Sequence, residues 1–247
     1  SLLGLAILAL NVMALRARQY RLVCFALLVL TVFLALIGLR SGSLHHPAVV
    51  VGNLLGGFTM LGLVGWLVFR IDPGAARYTE TRVAPVRANV LVAIVLLAIQ
   101  IGLGALTSAN FAATACEGFP RCNERWYPDA TIYQAFRVDE PHEIDDQGYA
   151  VGSFERAAIH QAHRLFSVAV LLAIAWTAVS AMFATQASQR LGIAALALVI
   201  LEMSAGIASV LTGLPTWLAV AHNWLAALLL LVLLKMLAMS REKWWHG

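Results

Sequence analysis

Seven runs of apolar residues, at 1–15, 22–39, 47–69, 88–107, 157–183, 191–211 and 217–239, constrain this chain more than any other feature. A run near 20 residues rises about 30 Å as an α-helix, the thickness of a bilayer's hydrocarbon core. Inside lipid each backbone N–H and C=O must find a partner in its own helix or in a closed barrel. Strands of about ten residues with alternating polarity, the mark of a barrel, are absent. The predicted fold class is therefore all-α, a polytopic transmembrane helix bundle with seven helices present. The composition agrees, with 61% of residues hydrophobic and 12% charged, about half the charge an ordinary soluble domain carries. Nucleic-acid binding is disfavoured too, because the net charge of +4 is divided among helix ends and forms no stripe.

The basic residues fix a predicted orientation. Arg16, Arg18 and Arg21, then Arg70, Arg77, Arg82 and Arg87, then Arg190, then Arg241 and Lys243 fall in alternate loops. By the positive-inside rule those loops and the C-terminus are cytoplasmic. The loop 108–156 then faces outward, and nine of the 13 acidic residues lie in it between Glu117 and Glu155. The chain begins at Ser1, inside an apolar run and without a methionine. That reads as a chain cut or processed upstream, and no signal peptide with a basic start is visible.

A weak internal repeat divides the chain. Ala35 to Gly38, Pro47 and Gly52-Asn53-Leu54 resemble Met203 to Gly206, Pro215 and Ala221-His222-Asn223, and Gly to Pro spans nine residues in both. The first helix can likewise be laid on the segment that starts at Ser167. Two pseudo-symmetric four-helix halves are expected, the first (1–80) lacking one helix and the second (81–247) complete. Leu-rich and Ala-rich helices also resemble one another without any shared origin, and that reading stays open.

Ionisable groups within membrane helices are costly and mark function by default. His160 and His163, three residues apart, lie on nearly the same face of the fifth segment. His163 and His222 each sit about six residues into outward-starting helices, or roughly 9 Å deep. Two neutral imidazoles at one depth in an apolar bundle suit the axial positions of a haem iron. Arg164, beside the first, can pair with a haem propionate. The alternative is that each histidine bonds a neighbouring helix. Zinc is disfavoured, because His-x-x-His here lacks a third Cys, Asp or Glu at the same depth. Cys116 and Cys122 flank five residues of the outer loop. They suit a structural disulfide or a reducible, redox-active one, and spacing does not choose. Cys24 reads as core. Glu202, near the middle of the sixth segment, is either a proton-handling group or neutral and hydrogen-bonded. His45, His46, His142 and His246 read as solvated. Asn53 roughly holds, in the first half, the place of His222, and an amide is a poor iron ligand.

The stretch Gln100-Ile-Gly-Leu-Gly-Ala-Leu-Thr-Ser-Ala-Asn110 through Cys116, Phe119-Pro120-Arg121-Cys122, Trp126-Tyr127-Pro128 and Ile159-His160-Gln161-Ala162-His163-Arg164 resembles haem A synthase, in the form of proteobacteria and mitochondria. Leu214-Pro215 to His222-Asn223 is similar to that family's last helix, and Pro47 to Gly57 to its fourth. The resemblance implies eight helices in two halves and an oxidoreductase of the haem A synthase type. Its reaction converts haem O to haem A for cytochrome oxidase assembly. It implies a haem b held by His163 and His222, with Arg164 beside it, and an outer cysteine pair at Cys116 and Cys122. The substrate haem belongs in the first half, where Asn53 replaces a ligand histidine and a Glu-x-x-His-Arg turn would precede Ser1. The implied setting is the bacterial inner membrane, with lipid, haem O synthase and terminal oxidase assembly proteins as partners and a homo-oligomer allowed. Two readings from other classes stand beside it: a haem-binding assembly factor without catalysis, and a b-type electron-transfer membrane protein.

Overall fold

A computed structural model describes residues 2–14, 20–39, 47–71, 84–116, 118–126 and 154–240. Seven α-helices run through these residues: α1 Leu2–Ala14, α2 Arg21–Leu39, α3 Pro47–Ile71, α4 Ala84–Ala109, α5 Phe154–Met182, α6 Gln186–Leu211 and α7 Thr216–Met239. One 3₁₀ turn, Ala112–Thr114, follows α4, and among the described residues there is no β-strand. The chain is an all-α polytopic membrane bundle. Helices α2 to α7 are long and apolar enough to cross a bilayer, whereas α1 is a shorter apolar helix. The 13 described residues of the first expected crossing rise about 20 Å. His45, His46, His142, His246 and most of the acidic loop lie outside the described residues.

The helices outrun the apolar runs at their starts. Helix α4 begins at Ala84, α5 at Phe154 and α6 at Gln186, each taking in an arginine and other polar residues ahead of the apolar stretch. A first turn needs partners for its free N–H groups more than it needs apolar side chains. At α6 a capping box supplies them: Thr185 accepts from the Ser188 N–H, and the Ser188 hydroxyl accepts from the Thr185 N–H. The turn from α6 to α7 is tight. Gly213 at φ 76° and Leu214 at φ 60° reverse the chain, and the Leu214 N–H donates to the Ser209 carbonyl at 2.7 Å. Only glycine adopts the first of these conformations without strain.

Helices α4, α5, α6 and α7 close into a ring, each packed on the next and α7 back on α4. Val90, Leu97, Ile174, Leu229 and Leu233 fill its interior. Lipid is as apolar as that interior, so close packing and internal hydrogen bonds hold the ring. At Gly192 of α6 an added Cβ would stand 2.6 Å from the Ala178 carbonyl of α5, so those backbones approach as far as glycine permits. Between α4 and α5, the Thr177 hydroxyl donates to the Ala173 carbonyl at 2.8 Å and lies 3.2 Å from that of Asn89. Helices α1, α2 and α3 form an open series, and α3 seats on α7 and α4. Phe25, Val32, Leu172, Trp176 and Ile193 are exposed, the outward faces that a bilayer covers.

Candidate functional site

The end of the ring at which α5 and α7 begin carries two histidines on opposite walls. His163, two and a half turns into α5, and His222, in the second turn of α7, bring their ring centroids to 6.5 Å with planes 82° apart. Two glycines make room for them. A Cβ at Gly104 of α4 would stand 3.2 Å from His163 Cε1, and one at Gly206 of α6 would stand 3.0 Å from His222 Cε1. Any side chain at either position would push a ring out of place.

Four residues before each glycine a polar residue addresses the same histidine. The His222 Nδ1–H donates to the Glu202 carbonyl at 3.1 Å and lies 3.4 Å from the Glu202 carboxyl Oε1. Gln100 Nε2 donates to the His163 carbonyl at 3.2 Å and stands 3.5 Å from His163 Nε2. Buried Nδ1 of His163 closes no hydrogen bond among the described residues. Gln100-x-x-x-Gly104 and Glu202-x-x-x-Gly206 are thus two copies of one cradle. Of the four, only Glu202 stands out in the sequence as an ionisable group inside an apolar helix; the relation of all four to the histidines needed three dimensions.

Spacing put His160 and His163 on one face, yet the structure gives them different company. His160 is buried and accepts from Arg164 Nε at 3.3 Å. Arg164 turns to the loop that follows α4: its Nη1 donates to the Gly118 carbonyl at 2.9 Å and lies 3.4 Å from that of Arg121. Its guanidinium carbon stands 5.8 Å from the centre of the Phe119 ring. Buried Nη2 has no partner among the described residues. Cys116 and Cys122 form a disulfide with Cα atoms 5.0 Å apart, and both pack on Ala157 at the start of α5. Gln161 Nε2 donates to the Trp126 carbonyl at 3.1 Å. The loop is therefore clamped on the N-terminal part of α5 at three points.

Among the described residues no three His, Cys, Asp or Glu side chains converge as a metal site would require. What the pair offers is two facing imidazoles. A histidine nitrogen binds a first-row metal at about 2 Å, so rings on opposite sides of one ion have centres about 6 Å apart. The orphaned Nδ1 of His163, the fixed Nδ1–H of His222 and the two glycine notches all fit ligands to a bulky planar group.

The first half is built otherwise. Asn53 is half-buried on α3 and makes no hydrogen bond among the described residues. Gly38, which the repeat aligns with Gly206, has no described atom within 4 Å of a Cβ. Leu34, aligned with Glu202, fills the notch at Gly56 of α3, 2.5 Å from where a Cβ would stand. Cys24 is buried in α2, as read from the sequence.

The sequence matches the family described as Cytochrome oxidase assembly protein, COX15-CtaA, over residues 1–234. It is 34% identical to Heme A synthase of Shewanella oneidensis over 218 residues, 83% of this chain and 64% of that protein. Against Heme A synthase of Rhizorhabdus wittichii it is 27% identical over 188 residues, 74% of this chain and 48% of that protein. The chain thus spans from about half to just under two thirds of these relatives. The extent of the family match and the identity to the Shewanella protein lead to one statement: this chain belongs to the cytochrome oxidase assembly family of the haem A synthases.

Proposed function

We propose that the chain acts in haem A synthesis for cytochrome oxidase, as a membrane oxidoreductase that converts haem O to haem A. In this reading His163 and His222 hold a haem b in the second half, residues 81–247, and the first half, 1–80, forms the substrate side. The observation that carries it is the pair of imidazoles 6.5 Å apart, seated in glycine notches inside the ring. A haem so held supplies one-electron transfer. The chain's own residues orient the ligands: Gly104 and Gly206 admit the rings, and Glu202 fixes the proton of one. Arg164 has a free, buried Nη2 at the outer rim and suits a propionate. The Cys116–Cys122 loop covers the outer end of α5 and keeps water from the rim. By charge distribution this loop faces outward from a bacterial inner membrane and the C-terminus is cytoplasmic.

Purified protein should show a bis-histidine b-type spectrum that disappears in His163→Ala and in His222→Ala. An unchanged spectrum in both variants refutes the assignment. One set of observations favours a second reading, haem carriage without oxidation: Asn53 stands near the place of a ligand, and Leu34 stands where Glu202 does in the other half. Co-expression with a haem O synthase separates the two. Haem A formation supports catalysis, and bound haem without conversion supports carriage.

A further inference from the structure

We infer that Glu202 is a positioning residue for His222, fixing which ring nitrogen faces inward and making the two histidines electronically unequal. The inference rests on the haem reading above and deepens it. A backbone carbonyl accepts hydrogen bonds and never donates them. The 3.1 Å contact between His222 Nδ1 and the Glu202 carbonyl therefore places the ring proton on Nδ1 and leaves the lone pair on Nε2 for iron. The Glu202 carboxyl Oε1, 3.4 Å from the same nitrogen, brings the side chain's charge beside that N–H. A carboxylate on the outer nitrogen of a ligand imidazole raises its basicity, fixes its orientation and stabilises the higher oxidation state of a bound metal.

No comparable group serves His163. Its neighbour in the matching position is the neutral Gln100, whose amide reaches the His163 backbone carbonyl at 3.2 Å, and its Nδ1 closes no hydrogen bond among the described residues. The cradle is duplicated, and the acid is present in one copy only. In α2 the aligned residue is Leu34, packed against Gly56, so the acid belongs to the histidine site and not to the repeat as such.

The test is a redox titration of purified holoprotein, wild type against Glu202→Gln and Glu202→Leu, followed by the visible spectrum. Gln keeps the size and one acceptor oxygen while removing the charge; Leu removes both. Each variant should favour the ferrous state by about tenfold at a given applied potential, a rise of 59 mV for a one-electron couple, with the bis-histidine spectrum retained. Loss of haem from Glu202→Leu with helical content intact also supports the positioning role. Midpoints of both variants within about twofold of wild type, spectrum intact, overturn the inference while the haem reading stands. A wild-type protein with no b-type spectrum overturns both.

Discussion

Replacing Gly206 by alanine tests the site at one atom. The new Cβ would stand 3.0 Å from His222 Cε1, 3.4 Å from Nδ1 and 3.8 Å from Nε2, where carbon pairs rest at about 3.5–4.0 Å. The ring must retreat by about half an ångström, which also stretches the 3.1 Å bond to Glu202 toward the limit at which it is a hydrogen bond at all. Overpacking of this kind costs about 1–3 kcal/mol, equivalent to roughly 5- to 150-fold weaker haem retention. The helix preference for alanine over glycine, about 1 kcal/mol in a helix interior, offsets only part of that cost in the haem-free protein. Gly102, with no described atom within 4 Å of its Cβ position, is the internal control, and Gly104, at 3.2 Å from His163 Cε1, should fall between the two. The assay is haem per protein from the pyridine haemochrome, paired with thermal unfolding of the apo form by circular dichroism in detergent. Equal haem content in Gly206→Ala, Gly102→Ala and wild type would refute the cradle.

Two further outcomes are expected. Arg164→Lys keeps the charge but not the fork that reaches Gly118, Arg121 and His160; the loop should loosen by about 1–2 kcal/mol, read as faster amide exchange over 116–126, and unchanged protection would contradict the clamp. Cys116→Ser with Cys122→Ser releases a loop of sequence separation 6, a loss of about 2 kcal/mol by loop-closure entropy. The melting temperature should drop while the haem spectrum persists, because both histidines stand on helices and neither depends on the loop; a spectrum lost together with the disulfide would count against that separation.

Helix existence was legible in the residues because twenty apolar positions in a row leave a backbone in lipid no other choice. Helix starts were less so: Arg87, Arg156 and Arg190 end the apolar signal but not the helix, which at α6 continues back to its capping box. The depth match of His163 and His222 was read from run lengths alone. Their closeness was not, since it depends on α7 packing back onto α4 and α6. His160 shows the reverse limit, for shared periodicity placed it with His163 while Arg164, one turn further on, turned it toward the loop. Gly104 and Gly206 carried no meaning until a ring was seen above each. Glu202 stood open between two readings in the sequence, and its contact with His222 Nδ1 shows a partner that only the fold supplies.

Helix α3 meets α7 where Gly62 lies against Leu230 and Leu234 and Gly65 against Leu231, with Lys235 resting 5.1 Å from the Phe69 ring centre toward the opposite end from the histidines. Such a seam is a row of shallow notches filled by leucine methyls, and a hydrocarbon tail has the same chemistry as those methyls. Surrounding amphiphiles therefore compete for it directly. Single-tailed surfactants, which exchange freely, should prise α1–α3 away from the closed quartet and spare the histidine pair, whereas phospholipids held in a bilayer keep the two groups of helices together.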